Sequence, residues 1–187
     1  MIDEIDQIRE KLPSGRTESD RLRRDTLFNE FDVNGNGYLS LADIDKGCRD
    51  VLGLHDTLFT SKKVLMRAYH ASKSIASSNG SGSSNDDYVE RSEFRLLLEY
   101  LAQYYELWHL FKQTDTSVDT RISLEEFTGM IHELSSSSSA WGLSNCDPGT
   151  VFTSIDTNGG GYILFDEFSN WALMKKLSAE ESDAEIK

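Results

Sequence analysis

The chain has 187 residues, enough for one large domain or two small ones with separate cores. Acidic residues number 32 against 19 lysines and arginines, and the resulting formal charge of −13 argues against nucleic-acid phosphate recognition. It suits a protein that gathers carboxylates around cations or meets basic partners.

Other function classes drop out on inspection. Cys48 and Cys146 lie far apart with no metal-type spacing and read as reduced thiols. No apolar run approaches the roughly 20 residues of a membrane span. The start, Met1 to Asp6, is acidic without a signal-peptide core, and Ile2 stands where myristoylation needs glycine, so no direct lipid anchor and a cytosolic address are expected. The four histidines are scattered, and no nucleophile elbow, phosphate loop or dinucleotide fingerprint occurs; a non-enzymatic chain is expected.

Residues 1–17 read as an N-terminal extension. A first amphipathic helix is predicted over Glu18 to Phe31, with Leu22, Leu27, Phe28 and Phe31 at helical spacing. After a glycine-rich break the periodicity resumes over Leu41 to Leu54, and again from Leu58 to Ile75 with Val64, Leu65, Ala68 and Tyr69 on one face. Ser77 to Ser84 is a Ser/Gly run and reads as a loop. Arg91 to Thr114 holds neither Gly nor Pro; its Phe94, Leu97, Leu98, Leu101, Tyr105, Trp108 and Phe111 predict one long helix. A short helix at Leu124 to Leu134 precedes the polyserine linker Ser135 to Ser139. Asp147-Pro148 is an N-cap followed by proline at the first helical position. The last helix spans Phe165 to Leu177 and leads into an acidic tail, residues 178–187.

A repeat organises these helices. Phe31-Asp32-Val33-Asn34-Gly35-Asn36-Gly37-Tyr38-Leu39 and Ile155-Asp156-Thr157-Asn158-Gly159-Gly160-Gly161-Tyr162-Ile163 are near copies, and a looser copy runs from Asp115 to Glu126-Phe127. Calcium takes six to eight oxygens, and a twelve-residue loop supplies them from positions 1, 3, 5, 7, 9 and 12, with glycine at 6 for the turn. The first loop offers Asp32, Asn34, Asn36, the Tyr38 carbonyl, Ser40 and Asp43. Asp43 is one methylene shorter than the usual closing glutamate, which tilts this loop toward magnesium. The third loop offers Asp115, Ser117, Asp119, the Arg121 carbonyl, Ser123 and Glu126, but sets Thr120 where glycine belongs. The fourth offers Asp156, Asn158, the Tyr162 carbonyl and Glu167; Gly160 at position 5 and Leu164 at position 9 bring no side-chain oxygen. The second loop is recognised by its exit, Ser92-Glu93-Phe94. Counting back places Val89 at position 8, Asp87 in place of glycine and Gly82 in place of the leading aspartate, so this loop is expected to be metal-free.

The expected fold is all-α, with four EF-hand helix–loop–helix units in two paired lobes, residues 18–99 and 100–177. Short β contacts are expected between Leu39 and Val89 and between Ile122 and Ile163. Tyr100, Tyr104, Tyr105, Trp108 and Phe111 are expected mostly in the core.

Arg24-Asp25-Thr26-Leu27-Phe28-Asn29-Glu30-Phe31-Asp32, Phe94-Arg95-Leu96-Leu97-Leu98-Glu99-Tyr100, Asp156 to Gly161 and above all Phe165-Asp166-Glu167-Phe168-Ser169-Asn170-Trp171-Ala172 with Lys175-Lys176-Leu177 resemble the trypanosomatid flagellar calcium-binding proteins, the calflagins. The resemblance implies a calcium sensor of the flagellum and its membrane with a degenerate second hand. The family's amino-terminal Gly-Cys acylation signal has no match at Met1-Ile2-Asp3, so membrane attachment through it is not carried over. Two functions stay open at this point. One is a calcium sensor that exposes a surface to a protein target helix; the other is an adaptor that grips such a helix irrespective of calcium.

Overall fold

The computed structural model describes residues 2–54, 62–78, 87–136 and 146–184. His55, Gly82, residues 79–84 of the expected Ser/Gly loop and residues 137–139 of the linker lie outside them. The described chain is mostly helical: α1 (Ile2–Lys11), α2 (Glu18–Phe31), α3 (Leu41–Asp50), α4 (Lys62–Ser78), α5 (Arg91–Thr114), α6 (Leu124–Ser136), α7 (Pro148–Ile155) and α8 (Phe165–Ala184). Four two-residue strands interrupt them: β1 (Tyr38–Leu39), β2 (Val89–Glu90), β3 (Arg121–Ile122) and β4 (Ile163–Leu164). β1 pairs antiparallel with β2, setting Leu39 opposite Val89, and β3 pairs with β4, setting Ile122 opposite Ile163. These are the two contacts that the apolar position-8 residues predict. The chain divides into two compact units, Met1–Glu106 and Leu107–Lys187.

In the first unit the end of α2 and the start of α5 carry the aromatics beside the loops, while α3 places Ile44 at the matching position. Phe28 and Phe31 of α2 meet Phe94 of α5 edge to face, with ring centroids 5.2 and 5.5 Å apart. Leu39, Ile44, Val64, Ala68, Val89, Leu97, Leu98 and Leu101 complete this core, all fully buried. α3 passes so close to Phe31 that a Cβ at Gly47 would stand 2.5 Å from its ring, so the helix needs glycine there despite the propensity cost. Cys48, buried beside it, has its thiol pushed up to about 12 by burial, with Asp45 adding to the effect, so it stays protonated and inert.

Leu22 faces solvent at 58% exposure, because the α2 core stripe is the narrow Leu27–Phe28–Phe31 face next to the loop. Residues 1–17, read only as an extension, carry the helix α1, and Ile8 within it and Leu12 just after it are buried. The segment is tied down through its carbonyls: Arg24 Nη1 donates to the Pro13 and Gly15 oxygens at 2.9 Å, and Arg23 Nη2 to that of Glu10 at 2.5 Å. Lys11 Nζ donates to the Leu52 carbonyl at 2.9 Å. The signal was the Ile5-Ile8-Leu12 spacing, which reads as a helix face once the acidic flanks are set aside.

The second unit is built on Phe111, Phe127, Phe165 and Phe168, all fully buried. Trp108 packs edge-on against Phe165 at 4.8 Å, and Phe127 against Phe152 at 6.0 Å and Trp171 at 6.1 Å. Of the aromatic series on α5, Tyr104, Tyr105, Trp108 and Phe111 are buried, while Tyr100 is half-buried. Asp147 caps α7, its side chain accepting the Thr150 N–H, with proline at the helix start. α8 continues past Leu177 to Ala184.

Candidate metal centres

Three loops share one hydrogen-bonded frame. The aspartate at position 1 accepts the N–H of position 5 on one oxygen and that of position 6 on the other. For Asp32 these come from Asn36 and Gly37, at 3.1 and 2.8 Å. For Asp115 the donors are Asp119 and Thr120, at 3.1 and 2.9 Å, and for Asp156 they are Gly160 and Gly161, at 3.0 and 2.9 Å. Side chains at position 3 or 5 add further turns: Asn34 Oδ1 accepts from Asn36, Asn36 Oδ1 from Tyr38, and Asn158 Oδ1 from Gly160. The loops are thus folded around their candidate ligand oxygens.

The closing residues differ as the sequence leads one to expect. Glu126 Oε2 accepts the Ser123 N–H at 2.9 Å, while Oε1 reaches across the loop to the Ser117 N–H at 3.0 Å and the Thr116 hydroxyl at 3.0 Å. Glu167 repeats this: Oε2 takes the Leu164 N–H at 3.0 Å, and Oε1 the Asn158 N–H at 3.1 Å and the Thr157 hydroxyl at 3.0 Å. Asp43 closes only the near side, its Oδ2 bound by the Ser40 N–H and hydroxyl in a capping box on α3. One methylene separates the two behaviours. Asp43 does the helix-capping half of the task, whereas the glutamates also span the loop.

Because these carboxylates are occupied by backbone donors, no group of three or more His, Cys, Asp or Glu side chains converges into a ready-made metal cluster among the described residues. The donor set is nonetheless hard oxygen throughout, carboxylate, amide, hydroxyl and main-chain carbonyl, which fits calcium or magnesium and not a soft metal. The frame would place Asp32, Asn34, Asn36, Tyr38, Ser40 and Asp43 around one ion. The third loop would use Asp115, Ser117, Asp119, Arg121, Ser123 and Glu126. The fourth would use Asp156, Asn158, Tyr162 and Glu167, with Gly160 supplying no side chain.

Position 5 of the fourth loop is tight, for a Cβ at Gly160 would stand 2.6 Å from Asn158 Oδ1. In the third loop the side chain of Arg121, whose carbonyl is the expected ligand, does something the sequence did not announce. Its Nε and Nη2 lie 3.2 and 3.0 Å from Asp119 Oδ2, and the guanidinium stacks 4.6 Å from the Tyr162 ring of the neighbouring loop. The pair is half exposed, so an arriving divalent ion has little to displace.

Among the described residues, left-handed backbone at non-glycine positions is confined to the third loop. Glycines hold the left-handed conformation at positions 4 and 6 of the first and fourth loops: Gly35, Gly37, Gly159 and Gly161. In the third loop the same places fall to Val118 at φ 59° and Thr120 at φ 65°. The sequence marked Thr120 but not Val118. A β-branched residue there costs about 1–2 kcal/mol. Val118→Gly, at a side chain 71% exposed, is therefore expected to stabilise the second unit by about 0.5–1 kcal/mol in chelator, after the greater unfolded-state freedom of glycine is subtracted. Urea denaturation checks it, and a loss of stability would show that Val118 makes a compensating contact.

Glu126 also carries a pH signature. Partial burial pushes its carboxyl up, but the N–H groups of Ser123 and Ser117 and the hydroxyls of Ser123 and Thr116 outweigh this and hold it at about 2, against an ordinary 4.5. A folded value below the unfolded one stabilises above about 4.5, and that contribution is lost as pH falls from there toward 2. In chelator, Glu126→Gln protein should show a flatter stability profile across this window; an unchanged slope would refute the assignment.

The FCaBP EF-hand domain family matches residues 8–101. The chain is 35% identical over 172 residues to the flagellar calcium-binding protein TB-24 of Trypanosoma brucei brucei, covering 92% of this chain and 77% of that one. It is also 35% identical to TB-17 of the same organism, over 96% of this chain and 76% of that one, and 33% identical to the flagellar calcium-binding protein of Trypanosoma cruzi, over 94% and 81%. The chain belongs to the flagellar calcium-binding protein family. It is accordingly a calcium-binding EF-hand protein, as the resemblance of its loop and helix segments implied. The family match ends at Leu101, so it covers the unit whose second loop lacks a recognisable ligand set and stops short of the third and fourth loops. Among the described residues no helix of this family member is long and apolar enough to cross a membrane.

Proposed function

We propose that the chain is a non-enzymatic calcium sensor with four EF-hands in two pairs, in which the first, third and fourth loops take up ions. The supporting observation is the shared frame, in which each leading aspartate binds the same two N–H groups and each closing carboxylate binds the N–H at position 9. The carboxylate that would complete the metal shell is also the group that holds the start of the exit helix. Glu126 must release the Ser117 and Thr116 donors to offer both oxygens to an ion, so capture is felt at α6. A protein target helix would read that movement, and the names of the relatives support a flagellar setting.

Titration calorimetry of the chelator-treated full chain, with Trp171 fluorescence and a hydrophobic dye followed in parallel, tests this. Calcium uptake with a coincident optical change is the expected result. Uptake without any optical change would favour the adaptor reading, in which the helices hold a partner at every calcium level. At the first loop the short Asp43 arm favours magnesium. Asp43→Glu is expected to raise calcium affinity there about tenfold, and equal affinity for both proteins would remove that preference.

A further inference from the structure

In the second helix–loop–helix, the carboxylate at the closing position already faces a cation of the protein itself. Glu93 is buried, 6% exposed, and its Oε2 accepts the Glu90 N–H at 2.8 Å, as Glu126 and Glu167 accept theirs at the equivalent place. Lys73 of α4 sets Nζ 3.3 and 3.2 Å from the two Glu93 oxygens. The same ammonium donates to the Tyr88 carbonyl at 2.5 Å. Val89 is the ladder residue at position 8, so Tyr88 stands at position 7. A two-oxygen carboxylate at position 12 and a main-chain carbonyl at position 7 are what an EF-hand offers calcium at its exit side. An ordinary surface ion pair would need neither the carbonyl nor burial, yet the two side chains are only 12% and 8% exposed.

We propose that the ε-ammonium of Lys73 is the resident cation of the second hand, occupying the place of a divalent ion and holding Tyr88, Glu90 and Glu93 in a closed arrangement at every calcium level. The consequence reaches the first loop through the ladder. Leu39 pairs with Val89, so the first loop meets a partner strand that is already set, and it binds its ion as a single site without cooperation inside its unit. This rests on reading Val89 to Glu93 as the exit of a second hand. Its test is made in chelator, where it stays readable even if the other loops bind nothing.

Amide exchange at Val89 and Glu90 is compared in chelator for the wild type, Lys73→Met, Glu93→Gln and the double variant. Lys73→Met leaves a buried carboxylate without its ammonium, so opening at these amides is expected to rise about 100-fold, with partial recovery in millimolar calcium or magnesium. The double variant, with both charges gone, should recover most of the loss. Protection within twofold of wild type in Lys73→Met, or a double variant whose losses simply multiply, would overturn the proposal. Should Lys73→Met not fold, the nitrogen resonance of the wild-type Lys73 ammonium decides. A slowly exchanging signal that persists at saturating calcium supports the assignment, and its disappearance as calcium rises refutes it.

Discussion

Glu126→Gln is expected to weaken calcium uptake at the third loop by on the order of 100-fold, and Glu167→Gln to do the same at the fourth. Glu126 presents two acceptor oxygens to four donors: the N–H groups of Ser123 and Ser117 and the hydroxyls of Ser123 and Thr116. A glutamine keeps one oxygen and turns an NH2 toward the other pair, so it can neither clasp an ion with two oxygens nor satisfy the metal-free loop. In the proposed ligand sets the third loop also falls from three acidic side chains to two, and the fourth from two to one. Glu125→Gln is the control, since it removes the same charge one residue away at an exposed position outside the ligand set. Calorimetry on each variant reads affinity loop by loop. Equal affinities for Glu126→Gln and Glu125→Gln would mean that the third loop does not close through Glu126.

The helices and ladders were legible because the repeat is written in hydrophobic spacing. Phe94, Leu97, Leu98 and Leu101 recur where a buried face requires them, and the apolar position-8 residues Leu39, Val89, Ile122 and Ile163 predicted their own partners. What escaped depends on contacts that no spacing encodes. α1 was passed over because its acidic flanks hid Ile8 and Leu12, and its hold on the unit comes from arginines of α2 that reach the carbonyls of Glu10 in α1 and of Pro13 just after it. Leu22 was misassigned because periodicity marks a stripe without saying where along the helix the core ends. The second hand is the sharpest case. Its missing ligands could be counted in the sequence, but the lysine facing its closing glutamate sits twenty positions earlier on another helix. Val118 was legible in principle, since it stands where the sister loops carry Gly35 and Gly159.

Phe94→Ala is expected to destabilise the first unit by about 3–5 kcal/mol, the largest effect of any single change considered. Phe94 is fully buried, and its ring is held edge-on by both Phe28 and Phe31, so truncation removes two aromatic contacts and leaves a cavity between α2 and α5. The site has little freedom to collapse. Phe31 is pressed on its other side by α3 at Gly47, and Phe94 directly follows Glu93, which is fixed by the Glu90 N–H and by Lys73. A residue so constrained cannot drift inward to refill the space, which places it toward the upper end of the range for phenylalanine truncations. The first unit contains no tryptophan, so amide exchange at Leu39 and Val89 is the appropriate measure of its opening. Phe94→Leu, which restores part of the volume, should recover roughly half of the loss. Should Phe94→Ala cost less than about 1 kcal/mol, the triangle of Phe28, Phe31 and Phe94 would not be the packing centre of this unit, and the set partner strand inferred for the first loop would lose its foundation.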